Sequence, residues 1–339
     1  MSRSSRAHPS AARRQRLPRY PFPDQVNPEI DNLVREYHEW IDTDYAFHSD
    51  AARAMHKAHR LTDIAARAFP CLSLAELRPV ARFTATGAMM DDYLDRCSHD
   101  EMMAIRDRIS ALLAGVEEDE PTDFGVLRQF FLLRQDALAC AMPSRLYDRF
   151  VEAVDRMIVG YGDEKQYVAA DTPPPLAVYL VLREHTSGGL PYARYLCMQK
   201  DFRTLPDQVL HHAHILRMHS LMAWLIGMHN DLVSLPKELA RKGDVINIVR
   251  VLQQEHDLTI EAAAEAALEL HDTYLADFIT LAGNLPDFGP WQSLVEEYVH
   301  HAGIMVQGVY AWHTNDRTRY QPGGYVEPEF HSQEFSWTT

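Results

Sequence analysis

Stretches of strictly alternating apolar and polar residues are nearly absent from this chain. Long Ala-, Leu-, Glu- and Arg-rich stretches take their place. Apolar residues that return every three or four positions mark helices packed through one face, so the pattern predicts an all-α fold. Glycine supports this, at 15 of 339 residues, or about 4 % against a usual ~7 %. With 46 % hydrophobic residues a sizeable core can be buried. No internal repeat or inter-domain linker is visible, and a single helical domain over residues 21–320 is expected.

The periodicity predicts a first helix through Ile30, Leu33, Val34, Tyr37 and Ile41, with Asn27 as N-cap and Pro28 at its first position. Further helices are expected over about 50–68, from Ser73 past Asp95, over 125–140 and 144–170, from about 206 to 241, from Thr259 to Gly283-Asn284, and over 290–313. The acidic stretch GVEEDEPTDFG (115–125) reads as a loop. In DTPPPLAVYLVLREHTSGGLPY a helical run through Val178–Arg183 meets Ser187-Gly188-Gly189 and Pro191. It predicts a helix broken in its middle, with backbone groups freed at the break.

The ends differ from the body. Residues 1–20 carry six arginines (Arg3, Arg6, Arg13, Arg14, Arg16, Arg19) and no acid, and read either as a disordered basic arm or as an organelle transit peptide. Residues 321–339 read as a mobile tail. The net charge of −15 argues against a nucleic-acid partner, which needs a basic surface. Cys71, Cys97, Cys140 and Cys197 show no CxxC spacing, as in a reduced cytoplasmic protein. No apolar run approaches the ~18 residues of a membrane span.

Two oxygen-rich clusters follow apolar helical runs. In DDYLDRCSHDE, Asp91 and Asp95 are i,i+4 neighbours at the end of a helix, where anions oppose the macrodipole and repel one another. A cation would neutralise them; a solvated charged face is the commoner fate of a lone DDxxD. In MHNDLVSLPKELARKGD, Asn230, Ser234 and Glu238 recur at four-residue steps and share one stripe, with Lys237 beside them. Amide, hydroxyl and carboxylate oxygens suit a hard divalent cation, and the lysine suits an anion next to it. Pro236 within this stripe predicts a kink. His99-Asp100 and His271-Asp272 read as helix-face polarity.

Taken together these features resemble the microbial class I terpene synthases, or terpene cyclases. DDYLD is similar to that family's aspartate-rich motif, and NDLVSLPKE fits its (N,D)Dxx(S,T)xxxE motif. Arg183 precedes Asn230 by the interval at which the family keeps its diphosphate-sensing arginine. Arg319-Tyr320, closing WHTNDRTRY, resembles the pair that grips diphosphate after the last helix. PFPDQVNP is similar to the start of bacterial members, and the match covers about 20–320.

The resemblance implies a class I terpenoid synthase helical bundle with a central active-site cavity, three Mg²⁺ ions and a prenyl diphosphate substrate. Asp91, Asp95, Asn230, Ser234 and Glu238 would be metal ligands. Arg183, Lys237, Arg319 and Tyr320 would bind diphosphate, and Thr186 and Ser187 would complete the sensor segment with Arg183, where a backbone carbonyl aids ionisation. Trp312 falls where the family often places a pocket tryptophan. Phe83 and Trp224 lie on helices leading to the motifs, with core packing as the alternative for each. Gly87 and Ala88 stand where many sesquiterpene cyclases carry bulky aromatics. The expected activity is cyclisation of farnesyl diphosphate, with geranylgeranyl diphosphate as the alternative; a chain-elongating prenyl diphosphate synthase or a noncatalytic helical binding protein are the rival readings. A homodimer is compatible with the family.

Overall fold

The computed structural model describes residues 16–320 apart from 46, 48, 95–96, 123–124, 241–243 and 316–318, and the backbone alone of Asp91 and Asp92. Fourteen α-helices and three 3-10 turns, and no strand, occur among the described residues. In chain order they are α1 (Ile30–Asp44), α2 (Asp50–Ala58), α3 (Thr62–Ala68), α4 (Leu74–Leu94), α5 (His99–Ala114), α6 (Gly125–Ala139), α7 (Ser144–Ala170), α8 (Leu176–Thr186), α9 (Gly189–Tyr195), α10 (Asp207–Leu210), α11 (Ala213–Leu239), α12 (Ile248–His256), α13 (Ile260–Gly283) and α14 (Gln292–Asn315). Among the described residues no helix is long and apolar enough to cross a membrane.

Most deviations from the expected helices have a local cause. The 50–68 stretch splits because Arg60 adopts φ 48° between α2 and α3. The stretch from Ser73 ends at Leu94, and Ser98 then starts α5 through a reciprocal capping box: Ser98 Oγ accepts from Glu101 N at 3.3 Å, and Glu101 Oε2 accepts from Ser98 N at 2.8 Å. Asn27 caps the turn that leads into α1, its Oδ1 accepting from Glu29 N at 2.9 Å. It is also fully buried, its Nδ2 donating to the carbonyls of Phe69 (3.0 Å) and Leu72 (2.7 Å), and the regular helix α1 begins at Ile30. His211-His212 separates α10 from α11, and α11 runs on through Pro236 to Leu239. Helix α12 was not expected; its N-cap is Asn247, whose Oδ1 accepts from Val249 N at 2.9 Å.

One apolar core runs from Leu33 in α1 to Trp312 in α14, with a second cluster between α8, α11, α12 and α13. Helix α11 is the centre of the bundle: it packs against α8, α9, α12, α13 and α14. Fifteen of its 27 residues are buried, from Ile215 to Leu235, so water is excluded around most of its length. Residues 16–20, part of the stretch whose composition suggests an arm, lie against the bundle. Leu17 packs on the second cluster, the Pro18 carbonyl accepts from Tyr310 Oη at 2.7 Å, and Tyr20 packs edge-on against His271 at 5.3 Å. Residues 1–15 and the expected tail 321–339 lie outside the described residues.

Candidate active site

A cavity of about 160 Å³ opens between six segments of the bundle. Its walls come from Leu61 and Ile64 beside α3; Phe83, Thr84, Gly87 and Ala88 of α4; Met157 and Tyr161 of α7; and Ile226, Val309 and Trp312 of α11 and α14. Arg183, Thr186, Ser187, Gly188 and Tyr192, at the α8–α9 break, form another wall. Asn230, His313, Arg319 and Tyr320 bring polar groups to the same space. Apolar and aromatic surface with a few convergent polar groups is what a small-molecule site requires.

The α8–α9 break has the expected form. Ser187 ends α8, Gly188 takes φ 74°, and the Ser187 hydroxyl accepts from Gly189 N at 3.2 Å. Only glycine adopts such a φ without strain. Thr186 is buried, and its Oγ1 has no hydrogen-bond partner. Its carbonyl accepts from Tyr161 Oη at 3.4 Å. A Cβ on Gly160 would meet the Thr186 methyl at 2.8 Å, so glycine in α7 lets this segment sit close.

Arg183 crosses from this wall to α11. Its Nη2 donates to Asn230 Oδ1 at 3.3 Å, to the Gly227 carbonyl at 3.4 Å, and to Asp231 in a close ion pair. Asp231 is 1 % exposed and also accepts from Tyr179 Oη (2.6 Å) and Ile248 N (2.8 Å). Burial, the largest single influence, would favour a neutral Arg183, but Asp231 together with Tyr179, Glu164 and Glu238 outweighs it and holds the guanidinium charged.

On α11 the expected stripe is present, and its hydrogen atoms are already committed. Asn230 Nδ2 donates to Tyr320 Oη (3.1 Å) and contacts His313 Nε2 (3.0 Å), which leaves Oδ1 on the Arg183 side. Ser234 Oγ donates to the Asn230 carbonyl at 2.8 Å, leaving its lone pairs. Glu238 Oε2 accepts from Asn247 Nδ2 at 2.8 Å. Burial, and then the charge of Asp231, pushes the Glu238 carboxyl up to about 7, against the hydrogen bond from Asn247 and the charge of Arg183. Three oxygen donors with free lone pairs on one stripe could hold a divalent cation. Among the described residues no three His, Cys, Asp or Glu side chains form a metal-binding group; the donors here are an amide, a hydroxyl and one carboxylate. Asp91 lies in α4 one turn after Gly87, but its side chain and the whole of Asp95 are outside the described residues.

Of the residues singled out in the sequence, Phe83, Arg183, Thr186, Ser187, Asn230, Trp312, Arg319 and Tyr320 line the cavity together. Ser234, Lys237 and Glu238 do not; they continue the α11 stripe beyond Asn230. Trp312 is buried, and its Nε1 donates to the carbonyls of His59 and Arg60, each at 3.2 Å. Phe83 meets Tyr192 edge-on at 5.7 Å. Trp224 points elsewhere, donating to the Leu180 carbonyl at 2.8 Å with Arg217 over its ring at 4.7 Å. Arg319 is 5 % exposed and donates to the Ala88 carbonyl at 3.4 Å.

Sequence reasoning missed Tyr161, Tyr192 and Met157 in the walls, and Asp231, Asn247 and His313 around the polar groups. Asp231 stood within the motif itself. The others carry no periodic signal. His271, read as helix-face polarity, is instead fully buried and meets Tyr20 Oη at 2.7 Å, because α13 packs that turn against the segment carrying Tyr20.

Fold and lining define a helical bundle that encloses an apolar, aromatic-walled cavity with a cationic, oxygen-rich rim. Residues 82–277 match the family model described as terpene synthase family 2, C-terminal metal binding. The chain belongs to this family of class I terpene synthases and is a terpene cyclase, and the family's metal-binding domain implies a divalent metal. It is 27 % identical over 319 residues to pristinol synthase of Streptomyces pristinaespiralis, covering 88 % of this chain and 83 % of that one. It is 28 % identical over 311 residues to the (+)-T-muurolol synthase of Roseiflexus castenholzii, a farnesyl diphosphate-cyclising enzyme, with 89 % and 93 % covered. The solved structure of an α-eudesmol synthase matches the fold with a TM-score of 0.75 at 19 % identity, over 88 % of this chain and 98 % of that one.

Proposed function

We propose that the protein ionises and cyclises farnesyl diphosphate, releasing diphosphate and a sesquiterpene hydrocarbon or alcohol. The observation that carries this is the convergence of Arg183, Asn230, Arg319 and Tyr320 on one side of a cavity whose other walls are apolar and aromatic. Two of the relatives, the T-muurolol and β-caryophyllene synthases, are farnesyl diphosphate-cyclising enzymes.

In this reading Asn230, Ser234 and Glu238 hold one Mg²⁺, Asp91 and Asp95 hold the others of a set of three, and Arg183, Lys237, Arg319 and Tyr320 grip the diphosphate. The metal, when bound, neutralises negative charge on the leaving group. Guanidinium forks at Arg183 and Arg319 donate to diphosphate oxygens, by geometry as well as by charge. Arg183 is poised for this: it already spans Asn230 and Asp231, and a diphosphate arriving beside Asn230 meets it within reach. Thr186 and Ser187 shape the wall beside Arg183 against which the allylic carbon ionises. Phe83, Tyr161, Tyr192 and Trp312 supply ring faces that attract the cation. The cation has to be kept from water, which requires the mouth of the cavity to close over the bound substrate. The chemistry suits a cytoplasmic enzyme, since it needs nothing beyond substrate and Mg²⁺.

Incubation with Mg²⁺ and, separately, geranyl, farnesyl and geranylgeranyl diphosphate, followed by gas chromatography–mass spectrometry, tests this. A cyclic product from farnesyl diphosphate alone is expected. A requirement for isopentenyl diphosphate, or no product from any of the three, would overturn the reading.

The second substrate reading, geranylgeranyl diphosphate, is favoured by one observation. A Cβ on Gly87 would meet nothing within 4 Å, so that part of the α4 wall is open. Gly87→Phe is expected to fill it, lowering kcat/KM for farnesyl relative to geranyl diphosphate by about tenfold, the scale of ~1–3 kcal/mol for pocket volume changes. Unchanged products and kinetics would show that the chain does not lie along Gly87.

A further inference from the structure

A line of buried hydrogen bonds runs from the surface of α13 to Asn230, and its polarity can be worked out. Asp272, 56 % exposed, lies with Oδ1 3.2 Å from His271 Nδ1. A carboxylate only accepts, so His271 carries its proton on Nδ1 and offers a lone pair at Nε2. Tyr20 Oη lies 2.7 Å from that Nε2 and donates to it in preference to the Leu225 carbonyl, which lies 3.4 Å away. The hydroxyl has no second proton, so the contact of 2.8 Å from Tyr20 Oη to His229 Nδ1 is a bond donated by His229. His229 Nε2 then accepts from His313 Nδ1 at 3.1 Å, and His313 Nε2 accepts from Asn230 Nδ2 at 3.0 Å. His229 and His271 are fully buried and His313 is 6 % exposed, so all three are held neutral and each step passes on one tautomer.

An amide presents either oxygen or nitrogen to a given direction, and only oxygen ligates a hard cation. The end of the line at Asn230 is a fixed acceptor, which draws Nδ2 toward His313 and turns Oδ1 toward Arg183. We infer that Asp272, His271, Tyr20, His229 and His313 form a polarised positioning relay that locks the Asn230 amide with its oxygen facing the metal and diphosphate. The inference rests on the reading of Asn230 as a metal ligand. It also gives residues 16–20 a role: within this line Tyr20 joins His271 of α13 to His229 of α11, so the segment before α1 closes the relay.

Two measurements on the full chain test it. Nitrogen-15 NMR of histidine-labelled, metal-free protein reads the tautomers without any turnover. His229, His271 and His313, assigned by single replacements, are expected as Nδ1–H forms, and Tyr20→Phe is expected to release His229 and His313 into a mixture. An Nε2–H form at His313 in the unaltered chain would overturn the relay. Next, Mg²⁺ is titrated in the presence of inorganic diphosphate and followed by thermal shift. His313→Leu is expected to raise the half-saturating Mg²⁺ about tenfold, the scale seen when a partner of a metal ligand is removed. His313→Gln, whose amide oxygen can still accept from Asn230, is expected to stay within about threefold. Asn230→Asp is expected to abolish the effect of His313→Leu, because both atoms of a carboxylate are oxygens. If Asn230→Ala shifts the titration while His313→Leu does not, the positioning role is overturned. If Asn230→Ala itself shifts nothing, the ligand reading fails and the positioning role falls with it, while the tautomers still decide whether the relay exists.

Discussion

Arg183→Met lowers the rate of diphosphate release in a single turnover by at least about 10³, or ~4 kcal/mol of transition-state stabilisation. The reason is that a charged donor already aimed into a low-dielectric site needs no reorganisation when charge develops on the leaving group. The guanidinium lies between the cavity and Asp231 and donates to Asn230 at 3.3 Å, so its loss removes both a directed donor and a neighbour of the proposed metal ligand. A second consequence must be separated from the first. Asp231 is 1 % exposed, and without Arg183 it is a buried charge lacking its counter-ion, a loss on the order of 3–5 kcal/mol of stability. Arg183→Met with Asp231→Asn removes both charges and keeps the acceptor for Tyr179 and Ile248. The double replacement is expected to recover most of the thermal stability and none of the rate. Recovery of rate together with stability would mean that Arg183 is a structural ion-pair partner and not a diphosphate donor.

Chelation of Mg²⁺ is expected to remove product formation by at least about 10³, since neutralising the leaving group contributes several kcal/mol. Glu238→Gln should raise the half-saturating Mg²⁺ concentration by at least about tenfold, because an amide replaces the one carboxylate of the α11 stripe. The pH dependence carries a sharper signature. The Glu238 carboxyl, pushed up to about 7, must lose its proton before it can ligate. As pH falls through about 7 the half-saturating Mg²⁺ therefore rises, approaching about tenfold per pH unit once the acid form dominates. In Glu238→Gln that slope should vanish. The sign for stability is the opposite of the usual carboxylate. The folded-state value lies above the ordinary 4.5, so the metal-free fold binds this proton more tightly than the unfolded chain. The resulting stabilisation is present at low pH and is lost as pH rises through the window from 4.5 to about 7. A half-saturating Mg²⁺ that does not vary between pH 6 and 8 would show that Glu238 is not a ligand.

Motifs were readable in the sequence where their geometry is local. Asn230, Ser234 and Glu238 share a stripe because a helix fixes four-residue neighbours, and the structure keeps that helix through Pro236. The break after Arg183 was legible because Gly188 can adopt φ 74° and Pro191 cannot continue the preceding turn's hydrogen bonding. Helix ends were less so. Ser98–Glu101 is a local signature that went unread, whereas the splitting of 50–68 at Arg60 leaves no mark, since a residue other than glycine carries the positive φ there.

The sequence by itself determined that the chain is a bundle of helices, where the oxygen donors and arginines lie along it, and so the family it belongs to. Each of these rests on contacts between residues a few positions apart, which the chain's own periodicity records. Tertiary structure alone decided which side chains meet: that Asp231 holds Arg183, that Tyr161 and Tyr192 join Phe83 and Trp312 in the walls, and that Tyr20 reaches His229 and His271. Those partners come from segments 48 to 251 residues apart. Their pairing depends on how whole helices stack, and packing of buried side chains follows shape and excluded water, neither of which leaves a period in the sequence.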